Sequence, residues 1–204
     1  MAHSKPTDTY HHGNLKDSLV DRAIEKLADG MEPTALSVRA LATELGVSAG
    51  APYRHFPTAE ALIAAVATRG FAVLQDRMRA AGASAGTSEQ TTAREPLERM
   101  GIAYVEFAAG HPQWYRAMFA LPSGELSDYP DLAAAGREAF SLLESAVTSF
   151  QASRADPRLH PADASIAAWA FVHGLAGLVT GSLASFGEDP AMLQHLITAL
   201  TQGL

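Results

Sequence analysis

Ser37-Val-Arg39-Ala-Leu-Ala42-Thr-Glu-Leu-Gly46-Val47-Ser48-Ala49-Gly50-Ala-Pro52-Tyr53-Arg54-His55-Phe56 reads as two short helices joined by a tight Gly-Val-Ser turn. Ser37 is a good N-cap, and Val38, Leu41, Ala42 and Leu45 fall at i, i+3, i+4 and i+7, one face of a helix. Gly46 stops that helix, Val47 plugs the turn and Ser48 caps the next helix, predicted over Ala49 to Phe56 with Pro52 near its first turn. The small Ala42 lets the two helices approach closely, and Phe56 anchors the far end in the core. Such a hairpin presents the start of its second helix outward, where it fits a major groove.

Outward from this stretch the pattern stays helical, with no alternating strand signal. Asn14 is the expected cap of a first helix, with Asp17 as a weak capping-box partner, and Leu15, Leu19, Val20, Ala23, Ile24 and Leu27 give it an apolar face that Gly30 ends. Pro57 closes the hairpin, and Thr58 starts a long helix through Leu62, Val66, Phe71 and Met78. The Ala-, Gly-, Ser- and Thr-rich run from Ala80 to Thr92 reads as a connector. Further helices are expected from about Arg94 to Ala109, Pro112 to Phe119, Asp131 to Ser153 and Pro161 to Phe186. A last one is capped by Asp189 with Pro190 at its first position. The expectation is an all-α chain of about nine helices.

Composition narrows the function classes. The 204 residues carry a net charge of −7 and no cysteine, which excludes disulfides, thiolate metal sites and cysteine nucleophiles. The first segment, Met1 to Thr9, is polar and holds Pro6, so it is not read as a secretory signal. The apolar run Ile166 to Phe186 is interrupted by Trp169, His173, Thr180 and several glycines, and reads as an interface helix rather than a bilayer span. A cytoplasmic protein with no membrane partner is the default. Up to Pro57, Lys5, Lys16, Arg22, Lys26, Arg39 and Arg54 face seven carboxylates, so any DNA affinity has to rest on a local patch and on neutral donors. Gly-x-Ser-x-Gly occurs at Gly46 to Gly50 and at Gly82 to Gly86, but with no strand ahead of it to form a nucleophile elbow; no phosphate-cradling loop or His-Glu-x-x-His is present, and the histidines are scattered. Neither an enzyme nor a cofactor is expected.

From Asn14 to Phe71 the chain resembles the TetR family of regulators, through the Gly46-Val47-Ser48 turn and the Tyr53-x-His55-Phe56 ending. The resemblance implies an N-terminal DNA-binding domain over residues 10–72 and an effector-binding and dimerisation domain over 73–204. It implies base-edge contacts from Arg39, Ala49, Gly50, Tyr53 and Arg54, and phosphate contacts from Ser37, Ser48, Tyr53 and His55. Direct readout then rests on Arg39 and Arg54, with Ala49 against a thymine methyl. A lysine common in the family is Ala59 here, and Pro52 replaces a more usual leucine. That replacement, together with Tyr10-His11-His12-Gly-Asn14, looks like a subgroup; His11 and His12 are either backbone contacts or a polar lead-in.

Trp169-x-x-x-His173-Gly174 is similar to the C-terminal domain of a subgroup marked by that triplet. Gly174, Gly177 and Gly181, with Leu193, Leu196, Ile197 and Leu200 on the last helix, suggest a homodimer interface. Tyr104, Phe107, Trp114, Tyr115, Met118, Phe119, Phe140, Trp169 and His173 are the candidates for lining an effector pocket, or else for plain core. The function implied is a sequence-specific repressor, released from a palindromic double-stranded operator by a small-molecule effector. A ligand-binding adaptor of the same fold without DNA binding is the alternative, ahead of an all-helical enzyme or metal binder.

Overall fold

The structure, a computed structural model, describes residues 15–84, 94–120, 123–181 and 189–203. Eight α-helices occupy the described residues: α1 Leu15–Ala28, α2 Val38–Glu44, α3 Ala59–Ala83, α4 Arg94–Gly110, α5 Pro112–Met118, α6 Pro130–Ala152, α7 Pro161–Thr180 and α8 Pro190–Gly203. The Asn14 cap, the segment from Tyr10 with His11 and His12, connector residues 85–92, and the stretch to Phe186 and Gly187 lie outside the described residues.

Local chemistry sets the element ends. At Gly30 and Gly46 the backbone takes φ of +93° and +69°, the left-handed turn that glycine adopts without a Cβ penalty. After Gly46, the Val47 amide reaches back to the Ala42 carbonyl at 3.0 Å and so closes α2. The Ser37 and Thr58 hydroxyls accept from the Ala40 and Ala61 amides, and Asp189 Oδ1 accepts from the Ala191 and Met192 amides at 3.0 and 3.2 Å. Asp17 pairs with Arg69 of α3 at 3.2 Å.

Two expectations need correction. No α-helix forms over Ala49 to Phe56; a 3₁₀ turn over Pro52–Arg54 stands there, so the count is eight α-helices rather than nine among the described residues. With Ser48 as cap, Pro52 is the fourth helical residue, whose N–H would be the first to close the i→i−4 ladder. Proline has none, and the Ala51 amide bonds the Ser48 carbonyl at 3.0 Å instead. The second correction is to the connector. α3 runs on to Ala83 because its last turns still have something to pack on: Met78 is buried, and Gly82 sits against Met100.

Two cores stack along α3. Leu19, Val20, Ala23, Leu27, Leu41, Phe56, Leu62 and Val66 form the smaller one, with α1, α2 and the 3₁₀ turn around the start of α3. Phe71, Leu74 and Met78, further along the same helix, enter the larger core with α4 to α8. Ion pairs hold α1 against α2, with Glu44 taking Arg22 at 2.7 Å and Lys26 at 2.9 Å. α7 is the one helix among the described residues long and apolar enough, by length and composition, to cross a membrane.

Candidate functional site

The turn between α2 and α3 lies on the surface of the small core. Ser37, Arg39, Ser48, Ala49, Gly50, Tyr53, Arg54 and His55 are all exposed, while Pro52 and Phe56 between them point inward and pin the turn. Tyr53 is 45% exposed, so it is no part of the core. Residues 51 to 55 keep helical dihedrals in spite of the broken ladder, which holds Tyr53 and Arg54 on the outer side. Arg22 and Lys26 are neutralised by carboxylates; among the described residues Lys16, Arg39 and Arg54 make no ion pair and are cations this end can offer an anion. His55 also borders a small cleft of about 180 Å³ with Lys16, Asp128 and Asp131, where the two halves of the chain meet.

The large core contains a second feature, a cavity of about 900 Å³ walled by α3, α4, α6, α7 and α8, with the end of α5 at one side. That is the size of a small-molecule site. Of the expected lining residues, Tyr104, Met118, Phe119, Phe140 and Trp169 reach it. Phe107, Trp114, Tyr115 and His173 do not. Phe107 is fully buried between His111 and Trp114 under the Arg77 guanidinium, and the Trp114 indole N–H donates to the Val66 carbonyl at 3.0 Å. Sequence reasoning missed Phe71, Leu74, Met78, Met100, Gly136 and Thr201. The signal was there in part, since Phe71, Leu74 and Met78 recur at helical spacing on α3, but spacing cannot tell a wall from a filled core.

Tyr104 links the wall to a polar ring behind it. His173 Nδ1 lies 2.8 Å from the Tyr115 hydroxyl and 3.1 Å from that of Tyr104, and the two hydroxyls are 3.2 Å apart. Burial pushes the Tyr104 phenol up to about 12, raises Tyr115 and lowers His173 below the ordinary histidine range, so all three are neutral near pH 7. Tyr115 belongs to α5, and α5 is tied to both halves of the chain. Arg116 donates to Glu32 at 3.0 Å and to the Thr180 carbonyl at 2.5 Å. Met118 and Trp114 press on Gly70 of α3, where a Cβ would stand 2.7 Å from Met118.

On the residues expected to meet a second chain, the structure divides. Gly174, Gly177 and Gly181 are exposed, and a Cβ on Gly174 or Gly177 would meet nothing within 4 Å. Leu193 and Ile197 are inside the chain's own core, only 2% and 1% exposed, because α8 turns them onto α4 beside Gly101. Leu200 and Ile197 help wall the cavity, and Leu196 is half-buried. Among the described residues no group of three or more His, Asp or Glu is disposed to hold a metal ion.

Comparison with known proteins gives this geometry a family. Residues 97–200 match the family model described as "Tetracyclin repressor-like, C-terminal domain", and residues 28–66 match "Bacterial regulatory proteins, tetR family". No curated protein sequence matches the chain. Among solved structures, a protein of unknown function from Rhodococcus sp. RHA1 is 31% identical with TM-score 0.76, over 97% of this chain and 98% of that one. A regulatory protein of the tetR family from Rhodococcus RHA1 has 18% identity and TM-score 0.63, covering 92% of this chain and 95% of its own. The regulator FadR from Bacillus subtilis, solved with stearoyl-CoA, has 16% identity and TM-score 0.70, covering 92% and 98%. The chain belongs to the TetR family of bacterial regulatory proteins. Its general role is therefore that of a DNA-binding regulator.

Proposed function

We propose that the protein is a cytoplasmic homodimeric repressor that reads a palindromic operator and leaves it when a small molecule enters the cavity. The observation that carries this reading is α3. One helix of 25 residues holds the exposed turn at its start and walls the cavity further along. A guest that fits the cavity better when the turns are wrongly spaced lowers operator affinity by the same coupling, typically about 1–3 kcal/mol. Residues 10–72 are the reading unit in this account, and 73–204 the sensing and pairing unit.

In the operator complex, Arg39 and Arg54 read base edges together with Gly50 and Tyr53, and Ala49 meets a thymine methyl. Ser37, Ser48, Tyr53 and His55 hold phosphates. The second copy docks on α7 and α8. Gly174, Gly177 and Gly181 leave room for close approach, and the exposed Ile166, Leu178 and Met192 give apolar surface to cover. The Trp169, His173, Gly174 triplet marks a subgroup in this reading, since one short segment supplies cavity wall, polar ring and pairing face. Selection of bound sequences from a random duplex library tests the whole. Half-sites one turn apart, ~34–36 Å, are expected. Recovery of no palindrome, or a monomer in solution, would overturn it.

A further inference from the structure

Two helices, α3 and α5, bury side chains in both the small core and the large one. α3 passes through as a single rod, and a rod alone fixes an axis while leaving rotation about that axis open. The second support is α5, which sends Ala117 into the small core and Tyr115 and Met118 into the large one. Arg116 lies between these anchors and makes a polar connection across the same junction. Its Nη1 donates to Glu32 Oε1 at 3.0 Å and its Nη2 to the Thr180 carbonyl at 2.5 Å. Gln113 donates to that same Glu32 oxygen at 3.0 Å. Thr180 ends α7, so its carbonyl is one that the helix leaves without an internal partner, and the guanidinium meets the negative end of the helix there. Glu32 stands immediately before the 3₁₀ turn Pro33–Ala35, where Pro33 is buried; buried Leu36 and then Ser37, the cap of α2, follow. A planar, preorganised fork thus spans from the end of α7 to the segment that leads into α2.

An exposed ion pair adds little to stability. What this fork fixes is an angle, because the small core cannot turn about α3 without parting Arg116 from Glu32 or from Thr180. We propose that Arg116 is a positioning residue for DNA reading: it holds the turn of each copy at the angle to α7 that sets the distance between the two turns. The proposal rests on the reading above, in which α7 pairs the copies and the turn meets the operator. Arg116 itself touches no base or phosphate in this account.

Arg116→Met keeps an apolar stem and removes both donors. Full-length wild type and variant are titrated with the selected operator, with the same operator carrying one extra base pair between its half-sites, and with an unrelated duplex. The wild type is expected to prefer the native spacing by at least about tenfold, since the insertion moves one half-site by ~3.4 Å. Arg116→Met should lose most of that preference through weaker binding to the native operator. Its affinity for the unrelated duplex, its sedimentation and its urea midpoint should stay at wild-type values. Glu32→Ala should behave like Arg116→Met, whereas Glu32→Gln should stay near wild type, because both donors use one oxygen that the amide keeps. Retention of the spacing preference in Arg116→Met overturns the inference and leaves the operator reading intact. So does a loss that comes with a lower urea midpoint or a monomer, which would make Arg116 a plain structural contact. Failure of the wild type to select any operator overturns the reading and the inference together.

Discussion

Arg54 and Arg39 are long exposed cations, and among the described residues neither is held by a carboxylate. If they read bases, Arg54→Ala should weaken operator binding by about 1–3 kcal/mol and relax specificity at one position, with Arg39→Ala doing the same elsewhere. Gel-shift affinities within twofold of wild type would remove either residue from the interface. His173 and His111 give a pH signature. Both titrate below the ordinary histidine range through burial, His111 also through Arg77, so the unfolded chain binds protons first as pH falls. Stability should be full above about pH 6.5, the unfolded value, and decline toward the lower folded value. Urea midpoints from pH 7.5 down to 5 check this, and His173→Gln should flatten the decline. The exposure of Ser48, Ala49, Gly50, Tyr53 and Arg54 was legible, because turn and cap chemistry is local. The ring of Tyr104, Tyr115 and His173 was legible as three residues but not as a ring, since sequence separations of 11, 58 and 69 carry no signal of contact.

Elements were readable wherever a cap or glycine marked an end, as at Ser37, Gly46, Thr58 and Asp189. The reading failed at the turn after Ser48, where the position of Pro52 within the helix mattered more than its nearness to the start. Pro52→Leu restores an amide at the first bonding position, so a regular α-helix from about Ala49 is expected. Hydrogen-exchange protection of the amide at position 52 measures it; an unprotected amide there would show that packing rather than proline breaks the ladder. α8 failed for a different reason. Its apolar stripe was assigned to a partner, but Leu193 and Ile197 lie i, i+4 on the side facing α4, and periodicity does not say which neighbour a stripe meets.

For the whole molecule, the outer side of α7 is the strongest statement about assembly. Gly177 has open space around it in a single chain, so Gly177→Leu should leave the fold intact while blocking a close-packed partner. Sedimentation is expected to give a monomer with unchanged helical circular dichroism; a dimer of wild-type affinity would move the interface elsewhere. Fold class was legible from the hairpin motif and the caps, and so were Tyr104, Met118, Phe119, Phe140 and Trp169 as cavity lining, but the rest of the wall was not, because a void depends on how five helices meet. The proposed division at residue 72 falls inside α3, and that has a thermodynamic consequence. Leu62 and Val66 belong to one core, Phe71 and Leu74 to the other, on a rod with no hinge between them. Melting either half strips a side from the other, so neither should survive alone. A scanning calorimeter should record one endotherm for the whole chain, and a mutation in the turn before α3 should lower the melting point of the C-terminal half by the same number of degrees.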